Sequence, residues 1–516
     1  MAGLIMNIAW IRKILRRRVL IIPALLIQIG FIAFLIAGSI YEFRYAGFAL
    51  NCFSIIVSLH IVNKKEKSAY KITWIFLILL FPIFGGVVYA VFHTQSSPRK
   101  YKRLIREANK EYRPFFLLPG SALSILKKEH PSCVPQVTYL EEYAGFPIYI
   151  NTAAEYFGSG EAFYKRLLTE LEKAQKYIFL EFFILHPGLM LNSIVEILER
   201  KAEKGVEVRL IYDDLGCFTS LPAGYKKYLE RKGIKCIVFN PFKPVLSSLQ
   251  NNRDHRKIIS IDGKTAFTGG LNLADEYINA RERFGHWKDS GIMIEGKAAW
   301  SLTLIFLQMW NLNRNQKCDA EAFFPWKNEC CEITARGFVQ PYADTPIDDE
   351  NVGEHVYIQI INNAKEYVYI NTPYLVIDDN LISALTLSAK SGVDVRIITP
   401  HRWDKWIVAV TSRSYYRQLI NAGVRIYEYT EGFNHSKTFV SDDNVATVGT
   451  SNLDFRSLYL HFECGVWMYK TESVNAVKED FLAALPVCRE ITLGDCSRNA
   501  AQRIFQDILR LFAPLM

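Results

Sequence analysis

The chain has 516 residues and a formal charge of +9. That length exceeds one ordinary domain, so two or three are expected; the basic excess favours an anionic surface or polyanion but is too diffuse to name one. Ten cysteines without a Cys-x-x-Cys pair, two of them adjacent at Cys330-Cys331, argue against a disulfide scaffold and a structural zinc site and read as reduced thiols.

Hydrophobicity is concentrated at the start. Residues 19–41 carry no charge and follow the basic run Arg12-Lys13-Ile14-Leu15-Arg16-Arg17-Arg18. At a rise of about 1.5 Å per residue they are long enough to cross a bilayer core as a tilted helix. A cleaved secretory signal would be shorter and end in small residues, which Glu42-Phe43-Arg44-Tyr45 does not offer. A second uncharged run, 45–63, holds Asn51, Ser54, Ser58 and His60; a third, 72–92, holds Pro82 and Gly85-Gly86. Residues 1–93 are therefore expected to form a membrane anchor of two or three transmembrane helices. The N-terminal basic run argues for a cytoplasmic N-terminus, and Arg99-Lys100-Tyr101-Lys102-Arg103 prefers the same side after the third run. Three crossings would place the rest of the chain outside; two crossings, with the middle run re-entrant or interfacial, would keep it inside. Residues 94–140 read as a polar, partly helical linker, broken at Ser96-Ser97-Pro98 and Pro131.

Beyond the linker the chain repeats itself. Ala174-Gln175-Lys176-Tyr177-Ile178-Phe179-Leu180 resembles Ala364-Lys365-Glu366-Tyr367-Val368-Tyr369-Ile370, a helix end followed by a strand. Lys204-Gly205-Val206-Glu207 resembles Ser391-Gly392-Val393-Asp394, and Lys232-Gly233-Ile234-Lys235 resembles Ala422-Gly423-Val424-Arg425. Each is a glycine-capped helix running into a strand. Helix and strand patterns alternate in both copies, which predicts an α/β layer fold of two duplicated units, 141–330 and 331–516.

One stretch recurs with identical spacing. His255-Arg256-Lys257, Asp262 and Gly269-Gly270-Leu271-Asn272 are matched by His435-Ser436-Lys437, Asp442 and Gly449-Thr450-Ser451-Asn452. On a strand, His255 and Lys257 share one face, as do His435 and Lys437. Ile258, Ile259, Ile261 and Asp262-Gly263 predict a hairpin, with Ala266-Phe267-Thr268 returning along it and delivering Asn272 to the same edge. An imidazole, an ammonium and an amide together supply the groups that phosphoryl transfer needs: one to attack or move protons, others to hold non-bridging oxygens. A lone histidine near a lysine is ordinarily a surface or satisfied core residue. Two copies in register favour chemistry.

These paired motifs resemble the His-x-Lys-x4-Asp signature of the phospholipase D superfamily. More specifically the chain is similar to the bacterial cardiolipin synthases, through its N-terminal hydrophobic runs, Asn252-Arg253-Asp254-His255-Arg256-Lys257, Gly269-Gly270-Leu271-Asn272-Leu273-Ala274-Asp275-Glu276-Tyr277, His286-Trp287-Lys288-Asp289, Thr372-Pro373-Tyr374 and Asn452-Leu453-Asp454-Phe455-Arg456-Ser457. The resemblance covers essentially the whole chain. Asp254 stands where that pattern usually has asparagine, as does His461 before Phe462-Glu463.

The resemblance implies two phospholipase D-like α/β/α units forming one pseudo-two-fold body in a multi-pass protein of the bacterial cell membrane. It implies a membrane phosphatidyltransferase that condenses two phosphatidylglycerol molecules into cardiolipin and glycerol through a phosphatidyl-histidine, with no cofactor or metal. His255 would be the nucleophile and His435 the acid/base, the reverse staying open. Lys257, Lys437, Asn272 and Asn452 would hold phosphate. Asp262 and Asp442 enter the catalytic signature, although their place at the strand-to-turn junction suits structural work. Aligning Asp289-Ser290-Gly291-Ile292 with Glu463-Cys464-Gly465-Val466 puts one carboxylate downstream of each motif, and Asp289 and Glu463 are expected to orient the histidines. The expected partners are phosphatidylglycerol, other anionic lipids and the membrane; a nucleic-acid phosphodiesterase would not explain the hydrophobic runs. A phospholipase D-type hydrolase, or a transphosphatidylase using another alcohol, is the alternative within the superfamily, and a catalytically dead scaffold the alternative outside it.

The remaining polar candidates read as structural, or, for the unrepeated histidines, as structural or substrate-facing. Asp275 and Glu276 suit a helix N-terminus, and His286, His401 and His461 have no repeated counterpart. Trp287, Trp310 and Trp326 read as core, while Trp403-Asp404-Lys405-Trp406-Ile407 reads either as core or as rings at a bilayer interface.

Overall fold

A computed structural model describes Leu26, Gly30 and residues 44–93, 97–116, 122–242, 248–314, 317, 319–326, 333–348 and 350–516. The chain divides into two compact units. One comprises Met1–Lys100, Phe242–Asn251 and Asp507–Met516, the other Tyr101–Pro241 and Asn252–Gln506.

The first unit holds helices α1 (Arg44–Val62), α2 (Ser68–Leu80) and α3 (Pro82–His93). The expected run 72–92 is not one span. It breaks at Phe81, which leaves helical geometry (φ −131°, ψ 74°), because the ring of Pro82 disfavours helical backbone in the residue before it. Proline then opens α3, where its missing N–H is harmless. The two helices meet closely at Gly85, where a Cβ would lie 2.7 Å from the Leu77 carbonyl oxygen. Ile61, Trp74, Ile78 and Tyr89 make the buried cluster of this unit. Among the described residues no helix is long and apolar enough to cross a membrane. The predicted span 19–41 lies outside the described residues, apart from Leu26 and Gly30.

The second unit opens inside α4 (Ser97–Phe116). Its polar composition hides an apolar stripe: Ile105, Tyr112 and Phe116 are buried in the main core. The first half continues with β1 (Thr152–Phe157), α5 (Gly160–Lys173), β2 (Tyr177–Phe182), α6 (Leu189–Glu203), β3 (Glu207–Asp213), α7 (Tyr225–Arg231), β4 (Lys235–Phe239), β5 (Arg253–Asp254), β6 (Ile258–Ile261), β7 (Thr265–Gly269), β8 (His286–Lys288), β9 (Gly291–Gly296) and α8 (Ala299–Arg314). The second half repeats the order: β10 (Phe338–Asp344), α9 (Val352–Asn363), β11 (Tyr367–Asn371), β12 (Leu375–Val376), α10 (Asp379–Lys390), β13 (Asp394–Pro400), α11 (Trp406–Asn421), β14 (Arg425–Tyr429), β15 (Gly432–Asn434), β16 (Thr438–Ser441), β17 (Val445–Gly449), β18 (Leu453–Asp454), β19 (His461–Tyr469), α12 (Glu472–Ala484), β20 (Cys488–Ile491) and α13 (Ala500–Phe512).

Each half builds one mixed sheet, and the strand orders correspond. The first runs β1-β9-β7-β6-β2-β3-β4, the second β10-β19-β17-β16-β11-β13-β14 with β20 added at the edge. The helix-to-strand junctions read in the sequence are present: Gly205 (φ 86°) and Gly392 (φ 95°) take the left-handed conformation that ends α6 and α10. Inner faces of both sheets share one core, in which Phe179, Ile258 and Ile294 of the first lie with Val440, Val466 and Met468 of the second. The outer face of the first sheet buries its own cluster under α5 and α6, with Leu167, Leu171, Ile194 and Leu198.

Two short pairings cross between the halves. β5 runs parallel to β19, with Arg253 opposite His461 and Asp254 opposite Phe462. β15 runs parallel to β8, with Gly432 opposite His286 and Asn434 opposite Lys288. Both crossings lead directly into a motif histidine.

Candidate active site

The registers of those crossings decide which groups meet. One step beyond the Asp254–Phe462 pair, His255 N–H donates to the Phe462 carbonyl at 3.0 Å, which brings the imidazole level with Glu463. His255 Nδ1 lies 2.9 and 3.1 Å from the Glu463 carboxylate oxygens. One step beyond Asn434–Lys288, His435 N–H donates to the Lys288 carbonyl at 2.7 Å, and His435 Nδ1 lies 2.7 Å from Asp289 Oδ2. Each histidine therefore meets a carboxylate of the opposite half. No described residue hydrogen-bonds Nε2 of either ring.

The residue two places before each carboxylate caps the arrangement. Trp287 Nε1 donates to Asp289 Oδ2 at 3.3 Å and its ring lies 5.3 Å from that of His435. At the equivalent position His461 has its ring 5.5 Å from that of His255 and its Nδ1 3.8 Å from Glu463 Oε1. Sequence reasoning set both residues aside, Trp287 as core and His461 as lacking a repeated partner; lining up 287 with 461 by their distance from the carboxylates would have singled them out. Thr450 was also missed. Its hydroxyl donates to Glu463 Oε2, whereas the matching Gly270 leaves no room for a side chain: a Cβ there would lie 1.9 Å from Asp289 Oδ1.

Lys257 and Lys437 are almost fully buried, at 2% exposure each. Lys257 Nζ donates to the His255 carbonyl at 2.6 Å. Lys437 Nζ donates to the His435 carbonyl and sits 2.9 Å from His435 Nδ1. Asn272 Oδ1 accepts from the Ile184 N–H at 2.9 Å, and its Nδ2 donates to Tyr277 Oη at 2.7 Å. Asn452 Nδ2 donates to Asp454 at 3.0 Å, while its Oδ1 is buried without a partner among the described residues.

Asp262 and Asp442 stand elsewhere. Asp262, at φ 52°, opens the turn between β6 and β7, and its carboxylate accepts the backbone N–H groups of Gln175, Lys176 and Tyr177 at 2.7–2.8 Å. Asp442 does the same for Lys365, Glu366 and Tyr367 at 2.7–3.0 Å. These carboxylates tie the hairpin turn to the start of the neighbouring strand and touch neither histidine. Asp275 accepts from the N–H groups of Leu189 and Met190 at 3.0 and 2.9 Å, at the start of α6, and Glu276 pairs with Arg283 at 2.9 Å. His286 and His401 bond Tyr429 and Glu428. At the unusual Asp254, Oδ1 accepts from Arg256 Nε at 3.2 Å; the same guanidinium meets Glu181 at 2.6 Å, so the added charge has a buried cation.

Burial dominates the electrostatics and separates the two histidine pairs. It pushes His435 down to about 4, with Lys437 adding to the effect and Asp289 opposing it. It also holds His255 well below the ordinary imidazole range, again helped by the neighbouring lysine, Lys257. Lys257 and Lys437 are lowered to about 8 and about 7 by the same loss of solvent. The carboxylates part company. Burial alone would raise Asp289, but His435 and Lys437 outweigh it and keep the group ionised. For Glu463 burial prevails over Lys257, and the carboxyl is pushed well above its usual range. Asp289 favours a proton on His435 against burial and Lys437, whereas Glu463, pushed toward the neutral acid, does less to charge His255.

His255, His461 and Glu463 bring three ligand-type atoms within 4.8 Å of one another. The cations that bear on His461, led by Arg456 and followed by Lys257, Lys405 and Arg253, make this an unfavourable place for a metal cation. The same positive surroundings suit an anion. Two imidazoles and two lysines, with the amide N–H groups of Asn272 and Asn452 beside them, can attack, move protons and hold a phosphodiester. The described thiols Cys52, Cys133, Cys217, Cys236, Cys464, Cys488 and Cys496 are free.

The family described as "Cardiolipin synthase, PLD-like domain" matches residues 167–310 and 357–485, one block in each half, and a phospholipase D-nuclease N-terminal family matches residues 52–92. A cardiolipin synthase of Geobacillus sp. (strain WCH70) is 34% identical over 473 residues, covering 90% of this chain and 93% of its own length. A cardiolipin synthase of Alkalihalophilus pseudofirmus is 33% identical over 90% of this chain and 92% of its own. An uncharacterized protein of Streptococcus mutans serotype c is 44% identical over 89% of this chain and 99% of its own. Among solved structures, phosphatidylserine synthase of Haemophilus influenzae superposes with a TM-score of 0.53 at 13% identity, over 70% of this chain and 95% of that one, a likeness of fold. With both halves matched, and a third of positions shared with synthases along nine-tenths of its length, this chain belongs to the cardiolipin synthase family of phospholipase D-like proteins.

Proposed function

We propose that the protein is a phosphatidyltransferase that condenses two phosphatidylglycerol molecules into cardiolipin and glycerol. The observation that carries this reading is the pair of buried histidines, each held through Nδ1 by a carboxylate of the other half, within the electrostatic reach of the same two lysines. In the first step His255 Nε2 attacks phosphorus. The P–O bond to the terminal glycerol breaks, and His435, which the incoming phosphate anion together with Asp289 allows to hold a proton, gives that proton to the departing oxygen. In the second step neutral His435 takes the proton of a glycerol hydroxyl on another phosphatidylglycerol, and that oxygen displaces His255 from phosphorus. Lys257, Lys437 and Asn272, together with Asn452, would stabilise charge on the non-bridging oxygens. The near-complete burial of these groups favours transfer to an alcohol over hydrolysis, since bulk water has little access.

Residues 1–93 are the proposed membrane anchor. The uncharged run 19–41 is its candidate crossing, and the broken pair α2–α3 suits a segment that enters one leaflet without traversing the bilayer. The deciding assay supplies purified protein with phosphatidylglycerol alone. Cardiolipin with released glycerol is expected. Phosphatidic acid as the main product would assign a hydrolase instead.

A further inference from the structure

Two apolar stretches of the catalytic unit, one after β13 and one at the start of α13, are left exposed. Where β13 ends, the chain turns through residues 401–405 into α11, and Trp403, Trp406 and Ile407 stand 46%, 48% and 47% exposed. Helix α13 contains no buried residue, and its Ile504 and Phe505 stand 61% and 42% exposed. The elements form one face, for the Trp406 and Phe505 rings stack at 5.9 Å between centroids. Along α13 the apolar Ala501, Ile504, Phe505 and Ile508 follow helical spacing, opposite the polar Gln502, Arg503 and Gln506. The end of this amphipathic helix is held, the Thr73 hydroxyl donating to the Leu511 carbonyl at 2.7 Å and the Phe76 and Phe512 rings meeting at 6.1 Å, whereas Ile504 and Phe505 at its start remain exposed.

The charges around this face are mostly basic, the exposed Asp507 on α13 being the exception. Arg402, Lys405 and Arg503 are exposed beside the rings. The acid between them, Asp404, is turned inward and accepts the Tyr374 hydroxyl at 2.6 Å. Tryptophans flanked by basic side chains, with an open amphipathic helix, are the composition that seats at a bilayer interface and draws anionic headgroups. A peptide partner or second copy would not need that basic rim.

We propose that Trp403, Trp406 and Ile407, with Ile504 and Phe505, form a docking face that seats the catalytic unit on an anionic phospholipid bilayer. The proposal rests on the phosphatidyltransferase reading insofar as the substrate resides in that bilayer. The turn carrying the face also leads to the site. Lys405 lies 5.6 Å over the Tyr374 ring and is one of the cations bearing on His461, while Thr372, two residues before Tyr374, accepts the Leu453 N–H beside Asn452 at 3.2 Å.

The test places the full chain, carrying His255→Ala so that no phosphatidyl group is transferred, in phosphatidylcholine nanodiscs with and without phosphatidylglycerol and follows amide hydrogen exchange. Residues 402–408 and 500–506 are expected to exchange about tenfold more slowly in the anionic discs. Ile504→Ser with Phe505→Ser should abolish the difference. Because that pair can unravel α13, Trp406→Ala, on a separate helix, should reduce it independently, and Arg402→Gln with Lys405→Gln should remove its dependence on phosphatidylglycerol. The idea is overturned by equal exchange in both discs, or by protection that grows with protein concentration without lipid, which would assign the face to a second copy. Exchange is read without turnover, so a failed lipid-product assay leaves this result standing on its own.

Discussion

Asp289 Oδ2 lies 2.7 Å from His435 Nδ1, so the carboxylate that orients the second histidine comes from the first half of the chain. Glu463 serves His255 in the reverse direction at 2.9 Å, yet the two pairs differ in charge: Asp289 is held ionised, whereas burial drives Glu463 toward the neutral acid.

The carboxylates should therefore be unequal under neutralisation. Asp289→Asn removes the charge that stabilises an imidazolium and is expected to lower kcat by about 10²- to 10⁴-fold. Glu463→Gln changes a group already pushed toward neutrality and should cost less turnover. Steady-state kinetics alongside vesicle-binding measurements check both, with vesicle binding expected to stay at the level of the unmodified protein. A loss of binding that matches the loss of turnover would remove the orienting role.

The division of labour between the histidines is open to chemical trapping. With His435→Ala and a phosphatidyl ester bearing a good leaving group, no general acid is needed for the first displacement. Phosphatidyl should then accumulate on His255, detected by peptide mass spectrometry at neutral pH. Label on any other residue, or none on a folded protein, reverses or abolishes the assignment.

Activity and stability should respond to pH in opposite directions. Lys437 and Lys257 are held at about 7 and about 8, against 10.5 for an ordinary lysine. Between those values the unfolded chain binds more protons than the folded one, so stability rises with pH across this window. Phosphate binding needs the ammonium forms, so kcat/KM should fall above pH 7 to 8. A bound phosphate raises both lysines, which moves the corresponding fall in kcat to higher pH. Thermal melts and pH–rate profiles on the same samples test the pair of trends.

Asp262 and Asp442 should behave as fold residues despite their place in the signature. Each carboxylate accepts three backbone N–H groups at a strand start. Asp262→Ala is expected to cost about 1–3 kcal/mol of stability, seen as an earlier denaturation midpoint, with turnover per folded molecule nearly unchanged. A collapse of kcat without loss of stability would return the aspartate to the catalytic group.

Local pattern made much of this molecule legible. The Gly205 and Gly392 junctions, the hairpins after each lysine and the repeat itself are short-range features, and each is present. Aligning Asp289 with Glu463 identified the carboxylates but not which imidazole each would face, because that depends on the parallel pairings β5–β19 and β15–β8 between residues far apart in sequence. His461 and Trp287 were hidden for the same reason. Hydropathy misread residues 72–92, since an average over the window does not register the backbone break that Pro82 imposes. Polarity similarly concealed the buried face of α4, where Tyr112 and Phe116 recur at helical spacing in a charged stretch.

The crossed pairings also set when during synthesis the protein becomes competent. A nascent chain released as far as Asn452 already contains His255, both lysines and both asparagines, but the His255 ring has neither the Glu463 carboxylate nor the strand it leans on. Competence arrives with the last strand of the second sheet's centre, after any hydrophobic N-terminal segment has had time to meet the membrane. A ribosome-bound fragment would be harmless to the lipids around it, and chemistry would begin only on a chain whose two halves have closed on each other.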